Sequence, residues 1–205
     1  MERAFESLYG FPGALQGIGM MGRTDTSIFK EVLNQRGLGW STEAEALFKS
    51  RYFGELRDAF DSPAIEKKLL PGIPNLLSAL QNSNGFVTGL VTGNWRESGY
   101  FKLNYFGITE HFPDGAFSDD SEFRDQLVGL AVSRFEERLS VRFSKSDVVV
   151  IGDTPLDVAA AHSYGAKAVA VATGFHPTDE LQASGADLVF LDFSDTDAVI
   201  RMLAE

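Results

Sequence analysis

The sequence predicts an α/β fold: a doubly wound, Rossmann-type parallel sheet with a helical cap domain ahead of it. Three observations carry this. Val148-Val149-Val150-Ile151 is an unbroken run of β-branched apolar residues, the pattern of a strand buried on both faces of a parallel sheet. The run stops at Gly152-Asp153, and apolar periodicity from about Pro155 (Val158, Ala159, Ala161) starts a helix. From about residue 70 strands and helices alternate, whereas residues 1–69 are helical in pattern and carry no strand signal.

The elements follow in order. Met1, Ala4, Phe5 and Leu8 mark a first helix, which Gly10 and Pro12 stop. A second runs from about Thr26 to Arg36, with Ile28, Phe29, Val32 and Leu33 on one face and Thr24 or Asp25 as cap. A third runs from Ser41 to about Phe60, opened by Ser41-Thr42-Glu43-Ala44-Glu45. The aromatic residues of this part are expected to pack a helical core. After Asp61-Ser62-Pro63 and Leu70-Pro71-Gly72 the pattern changes, which divides the chain into a cap, 1–69, and an α/β core, 70–205. The core reads as helix Ile73–Leu80, a turn at Asn82-Ser83-Asn84-Gly85, strand Phe86–Thr92, helix Trp95–Phe106 and a weak strand Gly115–Phe117. Helix Phe123–Leu139 leads into strand Val148–Ile151, a helix to Tyr164 with Gly165 as C-cap, and strand Ala168–Ala172. Helix Thr178–Ala183, strand Leu188–Leu191 and helix Ser194–Leu203 close the chain.

Composition narrows the function. The chain has 205 residues, 44% hydrophobic and 23% charged, enough for a full core. No apolar stretch is long enough to cross a bilayer and no signal-peptide core is present, so a membrane partner is not expected. There is no Cys, which removes disulfides, thiolate zinc sites and Cys nucleophiles and fits a cytoplasmic protein. The net charge of -11 argues against nucleic acid as a partner. It leaves room for a small phosphorylated metabolite, because a metal and one or two cations reverse the sign inside a pocket.

The strand ends hold the chemistry. In a parallel sheet, Thr92-Gly93-Asn94, Gly152-Asp153 and Thr173-Gly174 all face one edge, where such sheets bind ligands. Thr92 offers a hydroxyl, and the backbone N–H groups of Gly93 and Asn94 would form a small anion nest. Arg124, at the start of its helix, adds a cation. Asp153 and Asp157 could together hold a hard cation such as Mg²⁺. Read by themselves, they fit equally well a helix cap and a surface acid in the helix's first turn.

These residues resemble a known family, the haloacid dehalogenase (HAD) superfamily, and within it the phosphoglycolate-phosphatase-like branch. Leu90-Val91-Thr92-Gly93-Asn94, Arg124 and Val150-Ile151-Gly152-Asp153-Thr154-Pro155-Leu156-Asp157 carry the likeness, together with the element order and Gly185-Ala186-Asp187-Leu188. The resemblance implies a HAD-like phosphatase that hydrolyses a small phosphomonoester with Mg²⁺ through a phospho-aspartyl intermediate. It implies that Thr92 hydrogen-bonds the transferring phosphoryl group, and that Asp153 holds Mg²⁺ with Asp157 in support. The family's usual lysine is matched in place by Arg124, which keeps the charge but not the compact ammonium. Lys102 comes too early in the chain for that role.

The departure is at the front. The family begins with a strand ending in Asp-x-Asp, whose first Asp is the nucleophile and second the general acid and base. Met1 already lies within what reads as the first cap helix, and no such strand precedes the cap in this sequence. A start upstream of Met1 is the favoured expectation, and the chain as given is expected to be inactive. A degenerate, non-catalytic phosphate-ligand binder or regulatory relative is the alternative; dehalogenase or phosphomutase chemistry is a weaker one. The missing strand belongs between those ending at Thr92 and Asp153, which would then lack ladder partners. Asp195-Thr196-Asp197 imitates the motif but reads as a helix cap. In the cap, Gly22-Arg23-Thr24-Asp25 is a polar loop of the kind that closes over substrate, and Arg23 could meet a substrate carboxylate. Trp40 and Trp95 are expected to pack. His111, His162 and His176 have no evident partner.

Overall fold

Alternation of apolar and polar faces sets the order of layers. The structure, a computed structural model, describes residues 1–83 and 85–203. Three helices come first: α1 (Glu2–Tyr9), α2 (Asp25–Gln35) and α3 (Thr42–Asp61). Their starts follow from capping chemistry. Thr24 Oγ1 accepts from the Ser27 N–H at 3.2 Å and Ser41 Oγ from the Ala44 N–H at 3.1 Å, each satisfying a donor the helix cannot. Their inward stripes meet in an aromatic cluster. Phe5, Phe29 and Phe48 are fully buried, with Phe5 and Phe29 4.3 and 4.6 Å from the Phe48 ring. Trp95, from the α/β part, closes this cluster at 6.0 Å from Phe48 and is buried, as expected. Trp40 differs: it is 46% exposed, with its indole N–H bonded to Glu45 and Lys30 over its ring.

The remainder alternates as α4 (Ile73–Asn82), β1 (Leu90–Val91), α5 (Arg96–Tyr105), β2 (Gly115–Ala116), α6 (Arg124–Leu139), β3 (Val149–Gly152) and α7 (Pro155–Tyr164). It continues through β4 (Lys167–Val171), α8 (Thr178–Ala183), β5 (Leu188–Phe190) and α9 (Thr196–Leu203). The turn expected at Asn82–Gly85 includes Asn84, which lies outside the described residues. All strand pairs are parallel. Period-two alternation along β4 winds the chain on both faces. Ala168 and Ala170 pack with Val158 and Ala161 of α7 and Leu181 of α8, whereas Val171 packs with Leu76 and Leu80 of α4 and Val199 of α9. Asp195 accepts from the Ala198 N–H at 3.0 Å, a helix-start contact that matches its reading as a cap.

The parallel sheet is divided. β1 pairs only with β2, and β3–β4–β5 form a separate three-stranded sheet. Among the described residues, β1 and β3 therefore each keep one edge without a partner strand. This alters two expectations. The strand predicted over Phe86–Thr92 shrinks to Leu90–Val91, with Val87 53% exposed, because only the two residues of β2 are there to extend the ladder. The run Val148–Ile151 is not buried on both faces: Ile151 is 39% exposed and its Val neighbours are half-buried, while β4, paired on both edges, is buried nearly throughout.

Candidate functional site

The carboxyl ends of β1, β3 and β4 converge, and the loop before α2 spans them. Gly22, with φ 69°, lies against Thr154 and Leu156; a Cβ there would come within 2.6 Å of Thr154 Oγ1. Next along the loop, the Arg23 backbone packs on Gly93 so closely that any Cβ at Gly93 would strike the Arg23 carbonyl. The Asp25 N–H donates to the Gly93 carbonyl at 2.6 Å. Gly22-Arg23-Thr24-Asp25 thus bridges the end of β1 to the residues after β3.

At the end of β1, the Thr92 N–H extends the ladder to the Ala116 carbonyl at 3.1 Å. Its Oγ1 accepts from the Asn94 backbone N–H at 3.2 Å and from Asn94 Nδ2 at 2.7 Å. The anion nest expected from Gly93 and Asn94 is therefore reduced: the Asn94 N–H is turned onto Thr92, and the Gly93 N–H has no partner among the described residues. Asn94 Oδ1 accepts from Lys102 Nζ at 2.6 Å.

At the end of β3, glycines make room for both acids. A Cβ on Gly152 would collide with the Asp157 side chain, and one on Gly174 with the Asp153 carboxylate. Asp157 is buried and fully engaged. One oxygen accepts from the Thr154 N–H at 3.0 Å and its hydroxyl at 2.8 Å, completing a capping box for α7; the other is ion-paired with Arg124. Arg124 is thus committed to Asp157, whose buried carboxylate would otherwise stand without a cation. Asp153 is half-buried and has no ion-pair partner within 4 Å among the described residues. Burial, then the neighbouring Asp157 charge, raises its pKa. At the end of β4 the Thr173 hydroxyl is buried, without a hydrogen-bond partner among the described residues.

The acids after β2 are already paired. Asp120 takes both Arg134 nitrogens, at 2.7 and 2.6 Å, Asp119 holds Lys49 at 2.9 Å, and Glu122 holds Lys30 at 3.1 Å. Asp153, at the end of β3, and Asp25, in the loop above, are the acids at this edge without an ion pair among the described residues. No cluster of three or more His, Cys, Asp or Glu residues able to hold a metal exists among the described residues. The donor set still fits Mg²⁺, which keeps several waters and commonly takes one or two protein carboxylates plus phosphate oxygens.

Arg23 lines a cavity of about 270 Å³ with Met20, Met21, Thr154, Leu156 and His176. Its guanidinium is turned onto Glu31 and the Gly19 carbonyl, so nothing here brings it to a carboxylate of a ligand. The histidines do have carboxylate partners: His176 with Glu180 at 2.8 Å and His162 with Asp187 at 3.1 Å, the first a legible i,i+4 pair.

Two groups at this edge hold places the sequence reading did not give them: Asp25, read as a helix cap, and Lys102, set aside as too early in the chain. Asp25 Oδ2 accepts from the Trp95 N–H at 3.0 Å. Burial pushes its pKa up to about 6, against the pull of that N–H and of Lys102. Burial in turn lowers the Lys102 pKa, with Asp25 opposing. The available signal was a lone Lys two turns into α5. Nearby, Glu45 accepts from Thr26 Oγ1 at 2.8 Å and Trp95 Nε1 at 3.1 Å, which ties α2 and α3 to the start of α5.

The fold so described is HAD-like, a Rossmann-type α/β arrangement. A family model described as HAD-hydrolase-like matches residues 127–196, about a third of the chain. Solved structures share the fold at low identity. A predicted phosphoglycolate phosphatase from Haemophilus somnus 129PT is similar at TM-score 0.65 and 18% identity, over 97% of this chain and 88% of that one. A predicted β-phosphoglucomutase from Bacteroides vulgatus gives TM-score 0.67 and 21% identity, over 99% and 79%. A predicted phosphatase from Clostridium acetobutylicum gives 0.58 and 23%, over 84% and 75%. No curated protein sequence matches significantly. No helix among the described residues is long and apolar enough to cross a membrane.

Proposed function

We propose that this edge binds the phosphoryl group of a small, phosphoglycolate-like phosphomonoester, and that the parent activity is its Mg²⁺-dependent hydrolysis. The observation that carries this is the convergence of Thr92-Gly93, Asp153 and Thr173-Gly174 beneath the Gly22–Asp25 loop, with Asp153 half-buried at the end of β3 and without an ion pair among the described residues. The HAD-like family match supports it. Thr92 and the Gly93 N–H would hold phosphoryl oxygens. Asp153 would hold Mg²⁺, with Asp157 behind it fixed by Arg124 and Thr154; the metal would neutralise charge on the phosphoryl group. Arg124 then acts by locking Asp157. Arg23 would reach a substrate carboxylate by releasing Glu31.

Hydrolysis through a phospho-aspartyl intermediate needs a carboxylate facing phosphorus. Asp119, Asp120 and Glu122 after β2 are committed to cations, and among the described residues the edges of β1 and β3 where a further strand would lie have no partner. With these groups alone, phosphate binding without turnover is the expected behaviour. The same free edges favour the second reading, a non-catalytic phosphate-ligand binder. Dehalogenase and phosphomutase chemistry would use the same scaffold. Hydrolysis of p-nitrophenyl phosphate with Mg²⁺, by this chain and by one extended upstream, tests the proposal. Turnover only by the extended chain supports the phosphatase reading, and turnover by neither supports the binder. Substantial turnover by this chain, lost in Asp153→Ala, would contradict the missing-nucleophile argument.

A further inference from the structure

Lys102 is the cation that the reading above leaves unused. It sits on α5, eight positions after Asn94, and long helical side chains lean back toward the helix N-terminus. Its Nζ donates to Asn94 Oδ1 at 2.6 Å, while Nδ2 of the same amide donates to Thr92 Oγ1 at 2.7 Å. An ammonium has three donors and no acceptor, so it can face only the amide oxygen. That determines the amide's orientation: its NH₂ must face Thr92. A threonine hydroxyl has one O–H and two lone pairs. Both lone pairs are occupied, by Asn94 Nδ2 and by the Asn94 backbone N–H at 3.2 Å. The O–H remains, as a donor with no acceptor among the described residues.

We propose that Lys102 is a positioning residue: through Asn94 it holds the Thr92 hydroxyl as an outward hydrogen-bond donor, which suits that strand end to an acceptor-only oxyanion such as a phosphoryl group. This rests on the phosphate reading of the site. Without the ammonium, the Asn94 amide is free to turn over and present Oδ1 to Thr92. The hydroxyl then donates inward and points a lone pair at the ligand.

The test measures inorganic orthophosphate affinity by calorimetry, and the Asn94 side-chain NH₂ resonances by NMR, in the wild type, Lys102→Arg, Lys102→Met and Asn94→Asp. A hydrogen bond to a charged group sets the scale, so Lys102→Met should weaken phosphate about ten- to a hundredfold. Lys102→Arg, also donor-only, should stay within about threefold. The slowly exchanging Asn94 Nδ2 proton should be lost in Lys102→Met and kept in Lys102→Arg. Should Lys102→Met not fold, Asn94→Asp decides: its carboxylate still pairs with Lys102 but captures the Thr92 proton, so affinity should fall at least as far. Wild-type phosphate affinity in folded Lys102→Met or Asn94→Asp overturns the relay. A wild type that binds no phosphate, yet shows the protected Asn94 proton and loses it in Lys102→Met, overturns the phosphate reading and leaves the relay standing.

Discussion

Replacing Asp25 by Asn should stabilise the protein at neutral and alkaline pH and leave it unchanged in acid. Asp25 starts α2 and is wedged at the seam, where its carboxylate accepts the Trp95 N–H at 3.0 Å. Burial raises its pKa from 3.8 to about 6. The folded state therefore holds a proton between these values that the unfolded state has released. The contribution of this group is fully present below its unfolded pKa and is lost as pH rises through about 6. Two pKa units correspond to about 3 kcal/mol as a ceiling; partial solvation of the group brings the expectation to about 1–3 kcal/mol. Asparagine keeps an oxygen for the Trp95 N–H and carries no charge. Urea unfolding followed by Trp fluorescence, from about pH 3 to 8.5, should show Asp25→Asn above the wild type by that amount at pH 8, by a smaller margin between the two pKa values, and level with it only near pH 3. A variant less stable than the wild type at pH 8, or one with the wild-type pH slope, would refute the reasoning.

Other substitutions probe the remaining parts. Arg124→Met strands the buried Asp157 carboxylate, so it should cost about 3–5 kcal/mol in urea unfolding, with Arg124→Lys recovering part of it. Phe48→Ala empties the centre of the aromatic cluster and should cost about 3–5 kcal/mol, seen as a large fall in Tm. Gly152→Ala drives a methyl into Asp157, breaks the α7 capping box and should cost about 1–3 kcal/mol by the same measurement.

Helices were legible because their signals are local. Ser41 caps α3 and Gly165 ends α7 as their residue types dictate, and Thr178–Ala183 is helical where periodicity places it. Strands were less so, because a strand's extent depends on its partner. Val148–Ile151 reads as a strand for a sheet's interior, yet β3 is paired on one edge and Ile151 is half-open to water. The same holds at the site. Asp153 could be placed from Gly152-Asp153 at a strand end. The Arg124–Asp157 pair spans 33 residues, and nothing local marks it. Lys102 was passed over for its position in the chain, but its role comes from a side chain reaching back to Asn94. Asp25 read as a helix cap, and only the approach of Trp95 and Gly93 shows it is a seam residue.

The central claim is that the converged strand ends form an oxyanion site. Titration of the chain with inorganic orthophosphate in the presence of Mg²⁺, followed by calorimetry, tests it directly. One phosphate should bind saturably, and Thr92→Val, which removes the donor hydroxyl, should weaken it at least about tenfold. Asp153→Asn should weaken binding as well, but only when Mg²⁺ is present. No binding by the folded wild type, or equal affinity in Thr92→Val, would contradict it.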